Sequence, residues 1–176
     1  MGTGTNKRER LNAFEGVVAA FEAPLLRYAA RIANNPSHAQ DIVQNAFIKM
    51  IKSWKGEYSP TPELSAWLYK AVHNEAVDMI RSEERRRRLH EEHGAEALAQ
   101  PSQAETEPDE AGIIAAEALN SLSPREREVV VLKVYEEKKY REIAEITGMT
   151  VDNVGVTLHV ALRKLSAILG GKGVRL

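Results

Sequence analysis

Cysteine is absent from all 176 positions. Disulfides and thiolate metal sites are therefore excluded, which fits a reducing compartment such as the cytoplasm. No apolar run approaches the roughly 20 residues that a membrane-spanning helix needs, so no membrane insertion is expected. The opening MGTGTNKRER is polar and basic with no apolar stretch behind it, unlike a secretory signal. Period-two alternation flanked by turn residues is also missing, so no segment reads as a convincing strand. There is no Gly-rich phosphate loop and no Ser/His/Asp arrangement, and nothing argues for an enzyme. The one metal-like motif, HEEH at His90–His93, lacks the HExxH spacing and runs into a polar segment; neither a metal nor a cofactor is expected.

Net charge is −1, which by itself says little. Its distribution says more. Residues 1–90 carry +4, residues 91–118 carry −8 with no basic residue, and residues 119–176 carry +3. Two mildly basic segments are thus joined by an acidic one, and this layout matters more than the overall balance.

What is present is helical periodicity. Leu11 to about Asn34 is helical in pattern, with Pro24 expected to start a second helix or kink the first. Asn34–Ser37 is a turn, and Ser37 is a candidate cap for a helix running to about Trp54, with Ile42, Val43, Phe47, Met50 and Ile51 as its apolar set. A Pro-containing loop, Lys55–Pro62, precedes a long helix from about Glu63 into the run Arg85–Arg88. At about 100° per residue, Leu64, Trp67, Leu68, Ala71, Val72 and Met79 gather on one side of it; Lys70, His73, Asn74, Arg81 and Arg88 gather on another. A basic stripe broken by hydrogen-bonding groups suits a nucleic-acid backbone. Trp67 lies on the apolar side and reads as core rather than as a stacking platform.

Residues 93–112 are acidic, rich in Ala, Gln and Pro, and short of large apolar side chains; they read as a flexible linker. Beyond them, SPRE at Ser123–Glu126 is a capping box with Pro124 at the first helical position. EIAEITGMTVDNVGVTLHVALRKL, Glu142 to Leu165, then has helix-turn-helix spacing. Ala144 lets two helices approach, Gly148 supplies a turn, Thr150 caps the second helix, and Val154 points back to the core. An ordinary helical hairpin shares part of this pattern. The chain is therefore expected to be all-α: two small helical domains, 1–92 and 113–176, joined by the linker 93–112, the second with a helix-turn-helix.

Three stretches in order resemble one family. DIVQNAF (Asp41–Phe47), SAWLYKAVHNEAVDMIRSEERRRR (Ser65–Arg88) and LSPREREVVVLKVYEEKKYREIAEITGMTVDNV (Leu122–Val154) resemble bacterial RNA polymerase sigma factors, in particular the small extracytoplasmic-function (ECF) group. The resemblance covers about residues 11–169. It implies a first domain that binds core RNA polymerase and captures the minus-ten element, and a second that reads the minus-thirty-five element of promoter DNA. It also makes an anti-sigma protein a candidate partner.

Carried over position by position, the resemblance makes Asp41, Gln44, Asn45, Phe47 and Ile51 the polymerase-binding candidates. Relatives usually carry an acidic residue where Asn45 stands. For the minus-ten element the candidates are Tyr58, Lys70, His73, Asn74, Arg81, Arg85 and Arg88. Tyr58 reads equally well as an ordinary loop aromatic, and the arginine run as a solvated face. For the minus-thirty-five element they are Lys139, Arg141, Thr150, Asn153, Thr157, His159 and Arg163. Relatives commonly place Lys or Arg where this chain has Gly155, Thr157, Val160 and Leu162, so phosphate attraction falls to Lys138, Lys139, Arg141, Arg163 and Lys164. Asn153 is suited to adenine and Thr157 to a thymine methyl. Two rivals stay open at this point: a free-standing helix-turn-helix regulator, and a helical adaptor whose DNA contacts have decayed.

Overall fold

The computed structural model describes residues 3–33, 35–92 and 110–171, and among them every regular element is helical. The first unit is three helices: α1 (Thr3–Ala33), α2 (Pro36–Ser53) and α3 (Pro62–Glu92), each packed on the other two. The second is α4 (Glu110–Asn120), α5 (Pro124–Val130) running into a π-helical turn (Val131–Tyr135), α6 (Tyr140–Thr147) and α7 (Val151–Gly171).

α1 is continuous through Pro24 rather than broken there. A proline inside a helix removes one hydrogen bond and costs about 3 kcal/mol. The offset is a single apolar stripe that runs past it: Val17, Leu25, Tyr28, Ala29 and Ile32 are all buried, with Phe14, Val18 and Phe21 packed beside them. A break at Pro24 would turn half of that stripe away from α2 and α3. The cap of α2 is Asn35, not Ser37: its side chain accepts from the Ser37 N–H at 3.0 Å, with proline next in the chain. Asparagine two residues earlier, with proline at the first helical position, outcompetes serine at the second. At the start of α3, Thr61 accepts from the Leu64 N–H at 3.2 Å.

In the second unit the capping box forms as the sequence predicts, Ser123 and Glu126 exchanging bonds of 3.4 Å and 3.0 Å. Helix α4 begins at Glu110, so residues 110–112 belong to it rather than to the linker; residues 93–109 lie outside the described part. Arg127 is buried and donates to the carbonyls of Leu119 at 3.0 Å and Asn120 at 3.2 Å, a cation closing the C-terminus of α4. Burial without a carboxylate partner lowers its pKa. After α5 the ladder widens: the Glu136 N–H reaches back five residues to the Val131 carbonyl at 3.1 Å, which ends the helix and aims the chain at α6.

α6 has only eight residues, too few to persist alone. Ile143 and Ile146, both essentially inaccessible, hold it. Burial of that kind contributes about 1.5–3 kcal/mol per side chain. Gly148 ends it at φ 70°, in the left-handed region. From α7, Val154, Leu158, Ala161 and Leu165 enter the core, the four positions expected to face inward.

Candidate nucleic-acid interface

The faces of α2 separate cleanly. Ile42, Val43, Ala46, Phe47 and Met50 are buried; Asp41, Gln44, Asn45, Ile48 and Ile51 are exposed. Beside the exposed face lies a groove of about 470 Å³ shared with α1 and lined in part by Phe14, Leu26, Gln40 and Gln44. Phe47, one of the apolar set of α2, faces inward. It is only 8% exposed and packs edge-on against Phe14 at 6.3 Å, so it shapes the groove from the core side instead of standing on the surface. Ile48 was missed by sequence reasoning; it stands one turn beyond Gln44 and is exposed. The i, i+4 spacing from Gln44 was the available signal.

The loop before α3 is fixed by its aromatics. The Trp54 indole donates to the Glu57 carbonyl at 3.1 Å and packs against Trp67 with ring centres 5.8 Å apart. Gly56 runs under that indole so closely that a Cβ there would sit 2.6 Å from the ring. Tyr58 is half-buried, edge-on to Phe14 at 6.4 Å, with the Arg10 guanidinium 6.0 Å from its ring centre. Along α3, Lys70, Asn74, Arg81, Arg85 and Arg88 are exposed. Arg88 lies 3.6 Å from Glu84, one turn back.

His73 behaves differently from its neighbours on that stripe. Its Nδ1 lies 2.5 Å from a Glu128 oxygen on α5, and the ring is half-buried. A carboxylate only accepts, so Nδ1 carries the hydrogen. The same oxygen accepts from the Tyr28 hydroxyl of α1 at 2.6 Å. Tyr28 has no solvent access, and burial beside this carboxylate raises its pKa well above the ordinary value. A second carboxylate, Glu136, accepts from Tyr69 at 2.6 Å and lies 3.9 Å from Arg31. Arg31 stacks over Tyr135, and Lys138 stands 4.2 Å from the Tyr69 ring and 3.4 Å from the Ser65 hydroxyl. The two units are thus docked, α6 against α3 and α5 against α1, across a polar network built on two glutamates. Sequence reasoning missed it: the partners are 55 to 100 residues apart and no local pattern links them.

α6 and α7 form the helix-turn-helix. Thr150 accepts from the Asn153 N–H at 3.2 Å at the start of α7, and the Glu142 carboxylate accepts from the Lys139 N–H at 2.7 Å at the start of α6. Lys139, Arg141, Thr150, Asn153, His159 and Arg163 are exposed; Thr157 is half-buried. Two expected phosphate ligands are engaged elsewhere, Lys138 at Tyr69 and Lys164 at Glu126, 2.7 Å away. The lysine contact, together with the Ser123 bonds, holds the Glu126 carboxyl below its ordinary pKa. Val156, by contrast, stands 64% exposed. No helix among the described residues is long and apolar enough to cross a membrane.

Comparison with known proteins agrees with this geometry. Residues 17–86 match the family described as Sigma-70 region 2, and residues 113–165 match Sigma-70, region 4. The RNA polymerase sigma-E factor of Streptomyces avermitilis is 33% identical over 153 residues, covering 86% of this chain and 82% of that protein. The ECF RNA polymerase sigma factor SigW of Bacillus subtilis is 29% identical over 172 residues, covering 90% and 91%. The fold is similar to that of the sigma factor RpoE of Bartonella quintana, solved in complex with the anti-sigma factor NepR. Its TM-score is 0.66 at 23% identity, over 94% of this chain and 97% of that one.

Proposed function

The chain belongs to the ECF group of RNA polymerase sigma factors, and on that premise we propose how its residues divide the work of binding core polymerase and directing promoter-specific initiation. It is a non-enzymatic initiation factor. The unit 1–92 serves polymerase and the minus-ten element; the unit 113–176, which in structure begins with α4 at Glu110, serves the minus-thirty-five element. The intervening acidic segment joins them. A cytoplasmic location follows from the partners, and an anti-sigma protein is a candidate regulator.

The observation that carries the reading is the exposed face of α2. Asp41, Gln44, Asn45, Ile48 and Ile51 stand together in solvent, with Ile51 at 55% and Ile48 at 41%. Folding gains nothing from exposed isoleucines beside a groove; a partner helix laid there would bury them. The free-standing regulator needs no such face. For the minus-ten element, Lys70, Asn74, Arg81, Arg85 and Arg88 supply backbone contacts, with Tyr58 in the loop. His73 joins them only when Glu128 is drawn away. For the minus-thirty-five element, Lys139, Arg141 and Arg163 meet phosphate, while Thr150, Asn153, Thr157 and His159 lie along the reading helix.

Docking and promoter binding exclude each other on distance. The two elements lie about 25 base pairs apart, roughly 85 Å at 3.4 Å per pair. α3, which carries the minus-ten candidates Lys70 to Arg88, has 31 residues. That is about 47 Å of helix. With α6 packed on α3, the reading helix cannot reach the second element while the first unit holds the first. The docked state is therefore the free protein, and polymerase binding separates the units.

Gel filtration of the purified chain with core polymerase tests the assignment. The native chain comigrates. Gln44→Ala and Ile51→Ala weaken the complex, each by about 2 kcal/mol or roughly 30-fold if they are hot spots. Unchanged affinity in both folded variants would remove α2 from the interface. Phe47→Ala is not a clean probe, because it opens a core cavity.

A further inference from the structure

The outward face of α7 carries the inference. At about 100° per residue, the direction opposite the buried Val154, Leu158, Ala161 and Leu165 is occupied by Val156 and Arg163, with Val160 and Asn153 to one side and Asp152 and His159 to the other. Thr157 sits nearer the core and is half-buried. Ahead of Arg163 the centre of the face is therefore held by Val156, 64% exposed, with Val160, 37% exposed, beside it. The two valines are one turn apart, about 6 Å along the axis, or nearly two base-pair steps.

In a helix-turn-helix the N-terminal turns of the second helix meet base edges in the major groove. A valine there has neither donor nor acceptor. Opposite guanine it would cover O6 and N7, and opposite cytosine the N4 amino group, without offering a bond. Thymine alone presents a methyl group in that groove. Guanine readout would need Arg or Lys, and the first on α7 is Arg163, ten residues beyond Asn153. Asn153 at the edge of the face has the paired donor and acceptor that suit adenine. Asp152 accepts only; its place is favoured by the helix N-terminus rather than by phosphate.

We infer that α7 selects thymine at the two minus-thirty-five positions facing Val156 and Val160, by packing the valine methyls against the thymine 5-methyl groups. This rests on the reading that α7 enters the groove of that element. It makes the element A·T-rich where it meets the second and third turns of the helix, and it makes Val156 and Val160 specificity determinants that the polar candidates did not include.

The test uses holoenzyme assembled from the full chain and core polymerase. Initiation is selected from promoters randomised at the minus-thirty-five element. In the best template each thymine is then replaced by deoxyuridine, which keeps base pairing and removes only the methyl. Thymine should be enriched at two neighbouring positions. Deoxyuridine at either should weaken promoter binding about fourfold, the effect of one lost buried methyl. Val156→Ala and Val160→Ala should each bring the thymine-to-deoxyuridine ratio toward one at a single, different position. Guanine or cytosine at those positions, or equal use of thymine and deoxyuridine by a working holoenzyme, overturns this inference alone. So does retention of the full ratio in both variants, which would assign the valine strip to a protein contact. Failure to form holoenzyme removes the sigma-factor assignment, and this inference with it.

Discussion

Replacing Glu128 with alanine should open the free protein. The carboxylate is 8% exposed and accepts from Tyr28 at 2.6 Å and His73 at 2.5 Å, so both bonds cross from the second unit to the first. In the separated state water satisfies all three groups. In the docked Glu128→Ala protein the fully buried Tyr28 hydroxyl keeps no acceptor there. Two hydrogen bonds to a charged group, at about 1.5 kcal/mol each net of solvation, give roughly 3 kcal/mol against docking, a shift on the order of 100-fold. Glu128→Gln keeps an acceptor and loses the charge, so it should shift the balance less. Glu136→Ala removes the Tyr69 bond and the Arg31 partner and should add to the effect, short of full additivity, because the Tyr28 and Tyr69 rings touch at 5.2 Å. The absence of native cysteine makes the assay direct. Dyes on Lys52→Cys in α2 and Ala167→Cys in α7, both exposed, report the separation by energy transfer. The native chain should give one high-transfer population and Glu128→Ala a low-transfer one. A distribution unchanged in folded Glu128→Ala and Glu128→Ala/Glu136→Ala protein would refute the view that these carboxylates hold the units together.

Further outcomes are expected from the second unit. Gly148→Ala meets open space but must hold φ 70°, so it should destabilise the unit by about 1–2 kcal/mol, read as a lower denaturation midpoint. An unchanged midpoint would mean the turn relaxes. The Lys164 contact and the Ser123 bonds hold the Glu126 carboxyl below its ordinary pKa, so its stabilising contribution is full above the ordinary carboxylate range and is lost as pH falls through the depressed folded value. Lys164→Ala should flatten this part of the acid-denaturation curve; an identical curve would show that the Lys164 contact contributes nothing. Thr157→Arg should strengthen binding of holoenzyme to its promoter and steepen the slope of log affinity against log salt by about 0.9 if it gains one phosphate. An unchanged slope would place Thr157 away from the backbone.

Local signals were legible and long-range ones were not. The Ser123 box, the Thr150 cap, Gly148 in its turn and the inward set of α7 each depend on residues within a few positions of one another, and all stand where the spacing put them. Pro24 does not start a second helix, because the continuous apolar stripe overrides its local penalty. Asn35 took the cap from Ser37 because of one proline. The apolar spacing of α2 put Phe47 on the inward set, but its contact with Phe14, 33 positions earlier, had no local signal. The docking network has no sequence signature at all, since Tyr28, His73 and Glu128 come from three helices. It takes His73 and Lys138 out of the basic surface that their spacing implied.

As a sigma factor, this chain gives core polymerase its promoter specificity. Mapping transcript 5′ ends from a pool of DNA fragments, with core polymerase alone and with the chain added, tests it most directly. New discrete start sites should appear only when the chain is present, sharing elements about 10 and about 35 base pairs upstream. The same start sites with and without the chain would contradict it, even if the chain bound DNA on its own.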